Sequence, residues 1–236
     1  MKWLPLILYF FIISSAFALE CPEGKYYVNE HFRTDYYRTD GTYVSKADVS
    51  EYCKNYRNDG PLKIKFWEKI PKGWPFKNEI FKKCTPLEQK NIKNISYSLP
   101  KILTYVGKIK ILCAKKSDAE DNPATSSPEG KIIVFYDSAF KMDIKRVLAH
   151  ELAHFLYNSL SDNEKKLYWK TAKWNSKNSK KIPQTDRVIF SAPDGRFNPE
   201  EDFANNVEQF LIEPQKMKND FFEISKYLEL LLGTKK

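Results

Sequence analysis

Residues 150–154 read His-Glu-Leu-Ala-His, two histidines four positions apart with a glutamate directly after the first. On a helix, positions four apart share one face a single turn apart, so both imidazoles can reach one metal ion. The carboxylate of Glu151 then lies beside the ion, where it can take a proton from water activated there. Metal-assisted hydrolysis is the chemistry such an arrangement serves. The chain has only three histidines, and the remaining one, His31, stands alone in a predicted strand, where a structural role suits it.

Catalytic zinc usually takes three protein ligands and keeps one position open. No histidine lies downstream of His154, so a three-histidine site is excluded. The best candidate for the third ligand lies in Asn198-Pro199-Glu200-Glu201-Asp202. Asn198 can cap a helix and Pro199 can open it, which puts Glu201 in the first turn. Acidic residues at a helix start also act purely by electrostatics. The two roles can be divided among Glu200, Glu201 and Asp202.

The elements that must hold these residues are legible from caps and periodicity. Asp143 caps a predicted helix that runs through the histidine motif. Upstream, Leu62 to Glu68 alternates like a strand. Thr85-Pro86-Leu87-Glu88 is a capping box that opens a helix, with Ile92, Ile95, Leu99, Ile102, Leu103 and Val106 at helical spacing and Pro100 kinking or dividing it. Lys108 to Ala114 and Lys131 to Tyr136 read as strands, separated by a polar loop over 117–130. Downstream, Ser161 and Glu164 form a second capping box. After Pro214, Met217, Phe221, Ile224, Leu228 and Leu231 predict one helix ending at Gly233.

His150-Glu151-Leu152-Ala153-His154, followed downstream by Glu201-Asp202-Phe203-Ala204, resembles the gluzincin zinc metallopeptidases, and most of all the small gluzincins and lethal-factor-type domains. The likeness covers roughly residues 86–232. It implies an α+β fold, in which a small mixed sheet packs on the HExxH helix and the C-terminal part is helical. It also implies one Zn²⁺ held by His150, His154 and Glu201, with Glu151 as general base. Two positions depart from the family pattern. Asn205 stands where a glutamate often braces the site, and Asp194 where a tyrosine often donates to the developing oxyanion. Asn205 can hydrogen-bond a ligand without adding charge. Loss of an oxyanion donor typically costs about 100- to 1000-fold in rate, and Arg196, Tyr157 and Tyr168 are the candidates to replace it.

The chain divides into a predicted signal peptide (1–18), a small module (19–60) and the metallopeptidase-like domain (61–236). Met1-Lys2, the apolar run from Trp3 to Ile13 and Ala16-Phe17-Ala18 form the secretory pattern, with cleavage after Ala18. Glu20 before Cys21 argues against a lipoprotein anchor, and no later stretch is apolar enough to span a bilayer. The expected location is secreted or periplasmic. Cys21, Cys53, Cys84 and Cys113 then pass into an oxidising compartment, where three pairings are open to them. Cys21–Cys53 and Cys84–Cys113 are favoured because each closes a local segment. The small module is expected as a hairpin about Asp40-Gly41, then a short helix opened by Ser45 and Asp48 that delivers Cys53.

Composition excludes a disordered tail or a fibre: 42% of residues are hydrophobic and 15% aromatic. With 39 Lys+Arg against 30 Asp+Glu, the net charge of +9 calls for an acidic partner. Export makes nucleic acid an unsuitable one. An anionic envelope polymer remains, met by the aromatic and basic hairpin or by the lysines of 163–181. The expected function is that of an exported zinc metallopeptidase acting on a peptide or protein substrate. The alternative is a catalytically weakened zinc-binding pseudo-peptidase that works as an envelope or extracellular binding protein.

Overall fold

The computed structural model describes residues 62–69, 74, 79–104, 106–118, 122–175 and 184–233, and within 25–55 the backbone of six short strands. The predicted signal segment, the Cys21–Cys53 pair and Lys177, Lys180 and Lys181 lie outside the described residues.

In the N-terminal module, β1 (Lys25–Val28), β2 (His31–Arg33), β3 (Tyr36–Tyr37), β4 (Tyr43–Val44), β5 (Ala47–Val49) and β6 (Tyr52–Asn55) pair antiparallel, first with last, inward. Paired residue numbers always add to 80, so the three ladders keep one hairpin register centred on Asp40. The helix expected after Ser45 is not formed: 47–49 and 52–55 are strands. A cap contributes only about 1 kcal/mol. The strands within 43–55 instead pair across the hairpin, in a stretch whose β-branched and aromatic content suits strands.

The main sheet combines β7 (Lys63–Phe66), β8 (Phe81–Lys82), β9 (Lys108–Ala114), β10 (Ala124–Ser127) and β11 (Ile132–Tyr136). Its order is β10-β11-β9-β7, with β8 also pairing β9. β9 runs parallel to β7 and β11, whereas β8 and β10 pair antiparallel, so the sheet is mixed. Period-two alternation divides the central strands between two faces. Ile109, Ile111, Ile133 and Phe135 join the helices in the main core. Leu112, Ile132, Val134 and Tyr136 pack on the other face beneath Trp67, Trp74 and Phe81. β10 falls within the stretch expected as a polar loop, and it forms the end of the sheet.

Helices cover the first face. α1 (Pro86–Ser96) opens on the expected capping box, with both reciprocal bonds present. α2 (Lys101–Thr104) begins after Pro100, which divides the helical pattern. Cys84, just before α1, is disulfide-bonded to Cys113 of β9, as expected. Closing that 29-residue separation contributes about 3–4 kcal/mol by loop entropy. α3 (Ile144–Ser159) carries the histidine motif, and α4 (Asp162–Thr171) opens on the Ser161 capping box. The short strands β12 (Trp174–Asn175) and β13 (Gln184–Thr185) pair before α5 (Pro199–Ile212). The single C-terminal helix expected is two, α6 (Pro214–Asp220) and α7 (Phe222–Leu232), because Phe221 leaves helical geometry at φ −138°, ψ 56°. α7 ends on Gly233 at φ 65°, a left-handed cap that suits glycine. Among the described residues no helix is long and apolar enough to cross a membrane.

A buried carboxylate fixes α5 in place. Asp202 is fully buried and accepts hydrogen bonds from Tyr168 (2.8 Å), Trp174 (2.8 Å) and Asn206 (3.1 Å), and it pairs with Arg187. Burial pushes its carboxyl above the usual carboxylate range, against the pull of Arg187, Trp174 and Tyr168 toward the charged form. Removing one partner of such a pair leaves an uncompensated charge inside. Asp202→Ala is therefore expected to lower stability by about 3–5 kcal/mol in urea unfolding.

Candidate metal centre

Two helix starts build the site. Asp143 caps α3 by accepting from the Lys145 N–H at 2.9 Å. From that start the helix carries His150 and His154 on one face, with their Nε2 atoms 3.2 Å apart. Asn198 caps α5 by accepting from the N–H groups of both Glu200 and Glu201 at 2.9 Å, with Pro199 at the first helical position. Glu201 Oε2 then lies 3.6 Å from each histidine Nε2. These three donor atoms form a group that can hold a metal ion, the one such group of three among the described residues.

Each imidazole is held from behind by a second carboxylate. His150 Nδ1 lies 3.1 Å from Glu208 Oε2, and His154 Nδ1 lies 3.1 Å from Glu200 Oε1. With Nδ1–H donating to the carboxylate, the Nε2 lone pair is left for the metal, which fixes the tautomer that ligation needs. The carboxylates are themselves anchored. Arg146 Nε lies 2.9 Å from the other oxygen of Glu208, and Asn158 Nδ2 donates to Glu200 at 2.7 Å. Neither supporting glutamate was legible as such beforehand. The available signal was Glu208 seven positions after Glu201, two helical turns along nearly the same face.

The group is rich in negative charge for the two imidazoles it surrounds. Burial disfavours the His150 imidazolium, but Glu201, Glu208 and Glu151 outweigh it and push its pKa up to about 10. Burial likewise opposes the Glu201 carboxylate, yet His150 and His154 hold it below its ordinary value. A cation is what this arrangement favours, whether proton or metal.

The donors open onto a cleft of about 670 Å³. β10 forms one wall through Ala124, Thr125 and Ser126, and Asp194, Phe197 and Asn198 lie on its lining as well. Glu151 also lines the cleft, only 5% exposed, and makes no side-chain hydrogen bond to another described residue. Asp194 and Asn205, the two departures from the family pattern, bond to each other: Asn205 Nδ2 donates to Asp194 Oδ1 at 2.6 Å. Asn205 therefore reaches the rim of the cleft, and the bracing of the histidines falls to Glu208 and Glu200. The three candidate oxyanion donors are not in the cleft lining. Arg196 stacks its guanidinium over Phe197 at 5.3 Å. Tyr157 is buried against Phe203, accepts from Trp169 at 2.8 Å, and has its pKa pushed up to about 12 by burial. Tyr168 is fully buried on Asp202.

No family model, no curated protein and no solved structure matches the chain.

Because Glu208 touches the site only through His150, its removal should weaken metal retention without removing a ligand. Glu208→Ala is expected to lower metal affinity about 10- to 100-fold in competition with a chromophoric chelator. An unchanged affinity would mean that the Glu208 contact does not orient His150.

Proposed function

We propose that this protein is an exported zinc-dependent peptidase of the gluzincin kind, with His150, His154 and Glu201 as ligands and Glu151 as general base. The donor triangle carries the reading. Tetrahedral ligands about 2.0–2.1 Å from zinc lie about 3.3–3.4 Å from one another, and the three separations are 3.2, 3.6 and 3.6 Å. Two nitrogens and one oxygen, with carboxylates behind both imidazoles, are also the donor chemistry of catalytic zinc. The Cys84–Cys113 disulfide is compatible with an extracellular or periplasmic location.

Zinc bound there would supply Lewis acidity, drawing charge from a peptide carbonyl and acidifying water. The remaining work belongs to the chain. Glu151 takes the proton from the attacking water and returns it to the leaving amine. Glu208 and Glu200 keep both histidines in the ligating tautomer. β10, the end strand of the sheet among the described residues, lies beside the cleft, where an extended peptide can align along it.

One observation favours a second reading. Asp194 and Asn205 pair with each other at the position where the family resemblance implies an oxyanion donor, and no tyrosine or arginine lines the cleft among the described residues. A zinc-binding protein with weakened or no turnover fits this pairing, and it would act by binding an envelope or extracellular partner.

Metal analysis and a peptide library separate the two. The peptidase reading expects one zinc ion per chain, hydrolysis lost on chelation and restored by zinc, and a loss of about 10²- to 10⁴-fold in Glu151→Gln with zinc retained. Zinc without cleavage of any peptide selects the second reading. A zinc-free protein, or unchanged hydrolysis in the variant, overturns the first.

A further inference from the structure

The cleft has the opposite charge to the chain that builds it. The whole sequence carries +9, yet the described cleft lining holds four carboxylates, Glu151, Asp194, Glu200 and Glu201, and no lysine or arginine. A divalent ion on the donor group offsets two of those charges and leaves the lining negative. The described lysines of the basic 163–181 stretch, Lys165, Lys166, Lys170 and Lys173, are absent from this lining. Clefts lined by one sign of charge concentrate ligands of the other, so an anionic polymer is repelled from this one.

Two of the four carboxylates are already committed, Glu201 to the donor triangle and Glu200 to His154. Glu151 is nine-tenths buried and without a hydrogen-bond partner among the described residues, and it faces the space where a ligand would sit. Asp194 differs from all three because it stands exposed at the rim, on the short 3₁₀ turn Pro193–Arg196. Asn205 takes one of its oxygens and so orients the side chain, and the other oxygen has no partner among the described residues. Beside it Phe197 is 63% exposed although it lies on the cleft lining, with Pro123, Ala124 and Pro128 as further apolar surface. Arg196 already sets its guanidinium over that ring at 5.3 Å, so the ring serves as apolar surface. An oriented carboxylate beside apolar surface matches a long side chain with an apolar stem and a cationic tip.

We infer that the cleft selects cationic peptide segments, with Asp194 as a specificity-determining residue that binds a lysine or arginine side chain adjacent to the bond presented to Glu151. This rests on the peptidase reading for the placement of the peptide. It replaces the anionic polymer, as the ligand of this cleft, with a basic peptide or protein.

Binding to the zinc-loaded full chain carrying Glu151→Gln isolates recognition from cleavage. Three fluorescent extended peptides are compared by anisotropy, identical except for a central lysine, norleucine or glutamate. The lysine peptide is expected to bind about fivefold tighter than the norleucine peptide at low salt, and the glutamate peptide weaker than both. The lysine advantage should shrink as salt rises. Adding Asp194→Asn should abolish that advantage while zinc content and norleucine affinity stay unchanged. Equal binding of the lysine and norleucine peptides, a lysine advantage that survives Asp194→Asn, or no binding of any of the three overturns the proposal. Wild-type cleavage is read separately. Cleavage with no charge preference sinks the inference alone, whereas lysine-selective binding without cleavage sinks the hydrolytic reading alone.

Discussion

The packing of α3 against α5 is the constraint on which the site depends, because neither helix carries a metal site by itself. α3 supplies two imidazoles a turn apart, and α5 must present one carboxylate oxygen within 3.6 Å of both. Successive helical residues turn by about 100°, so Glu200, Glu201 and Asp202 face three directions. Glu200 reaches the back of His154, Glu201 the donor group, and Asp202 the core. The core contact sets the rotation of the helix. Tyr168, Trp174 and Arg187 converge on Asp202 from outside α5, and a turn of α5 that released them would also swing Glu201 away from the histidines. A buried carboxylate is a poor source of stability, but once its partners are in place it discriminates strongly between helix orientations. The acidic run at the start of α5 therefore does structural and chemical work with adjacent residues.

The same region shows how electrostatics and ligation are linked. His150 lies among Glu151, Glu201 and Glu208, and these carboxylates overcome the desolvation that would otherwise favour a neutral ring. Without a metal, the same carboxylates favour a proton on the His150 ring. A metal ion competes for that place with twice the charge, and the carboxylates that raised the proton affinity serve it equally. Arg146 on the far side of Glu208 limits the excess charge and holds the carboxylate at His150.

Local chemistry explains what was legible in the sequence. Thr85, Asp143, Ser161 and Asn198 each satisfy helix N–H groups within three residues, so their caps could be read directly and hold in the structure. The pairing of His150 with His154 on one helix face was legible for the same reason, whereas Glu201 was singled out from its acidic neighbours by the gluzincin resemblance. β10 was not legible, because Ala124-Thr125-Ser126-Ser127 has little strand propensity and becomes a strand only by pairing with β11. Glu208 was hidden for a different reason. Its partner is 58 positions away, and no local pattern encodes a contact that only the α3–α5 packing creates. The segment after Ser45 failed in the opposite sense, with a helix-start signal overridden by partners across a hairpin.

The pairing of Asp194 with Asn205 changes the meaning of the two departures from the gluzincin pattern. Set singly against the gluzincins that the sequence resembles, one position lacks the tyrosine and the other the glutamate often found there. In the structure they are one feature, an amide 5% exposed beneath the rim orienting a carboxylate on it. The bracing that Asn205 lacks is present elsewhere, because Glu208 and Glu200 already stand behind both histidines. The hydroxyls of Tyr157 and Tyr168 are engaged with Trp169 and Asp202, away from the cleft lining. What the exchange adds is a negative rim around a site whose other carboxylates are committed or buried. Among the described residues, a chain with a large excess of basic residues thus places none of them in the lining of the cleft at its candidate metal site, and its net charge says little about what enters there.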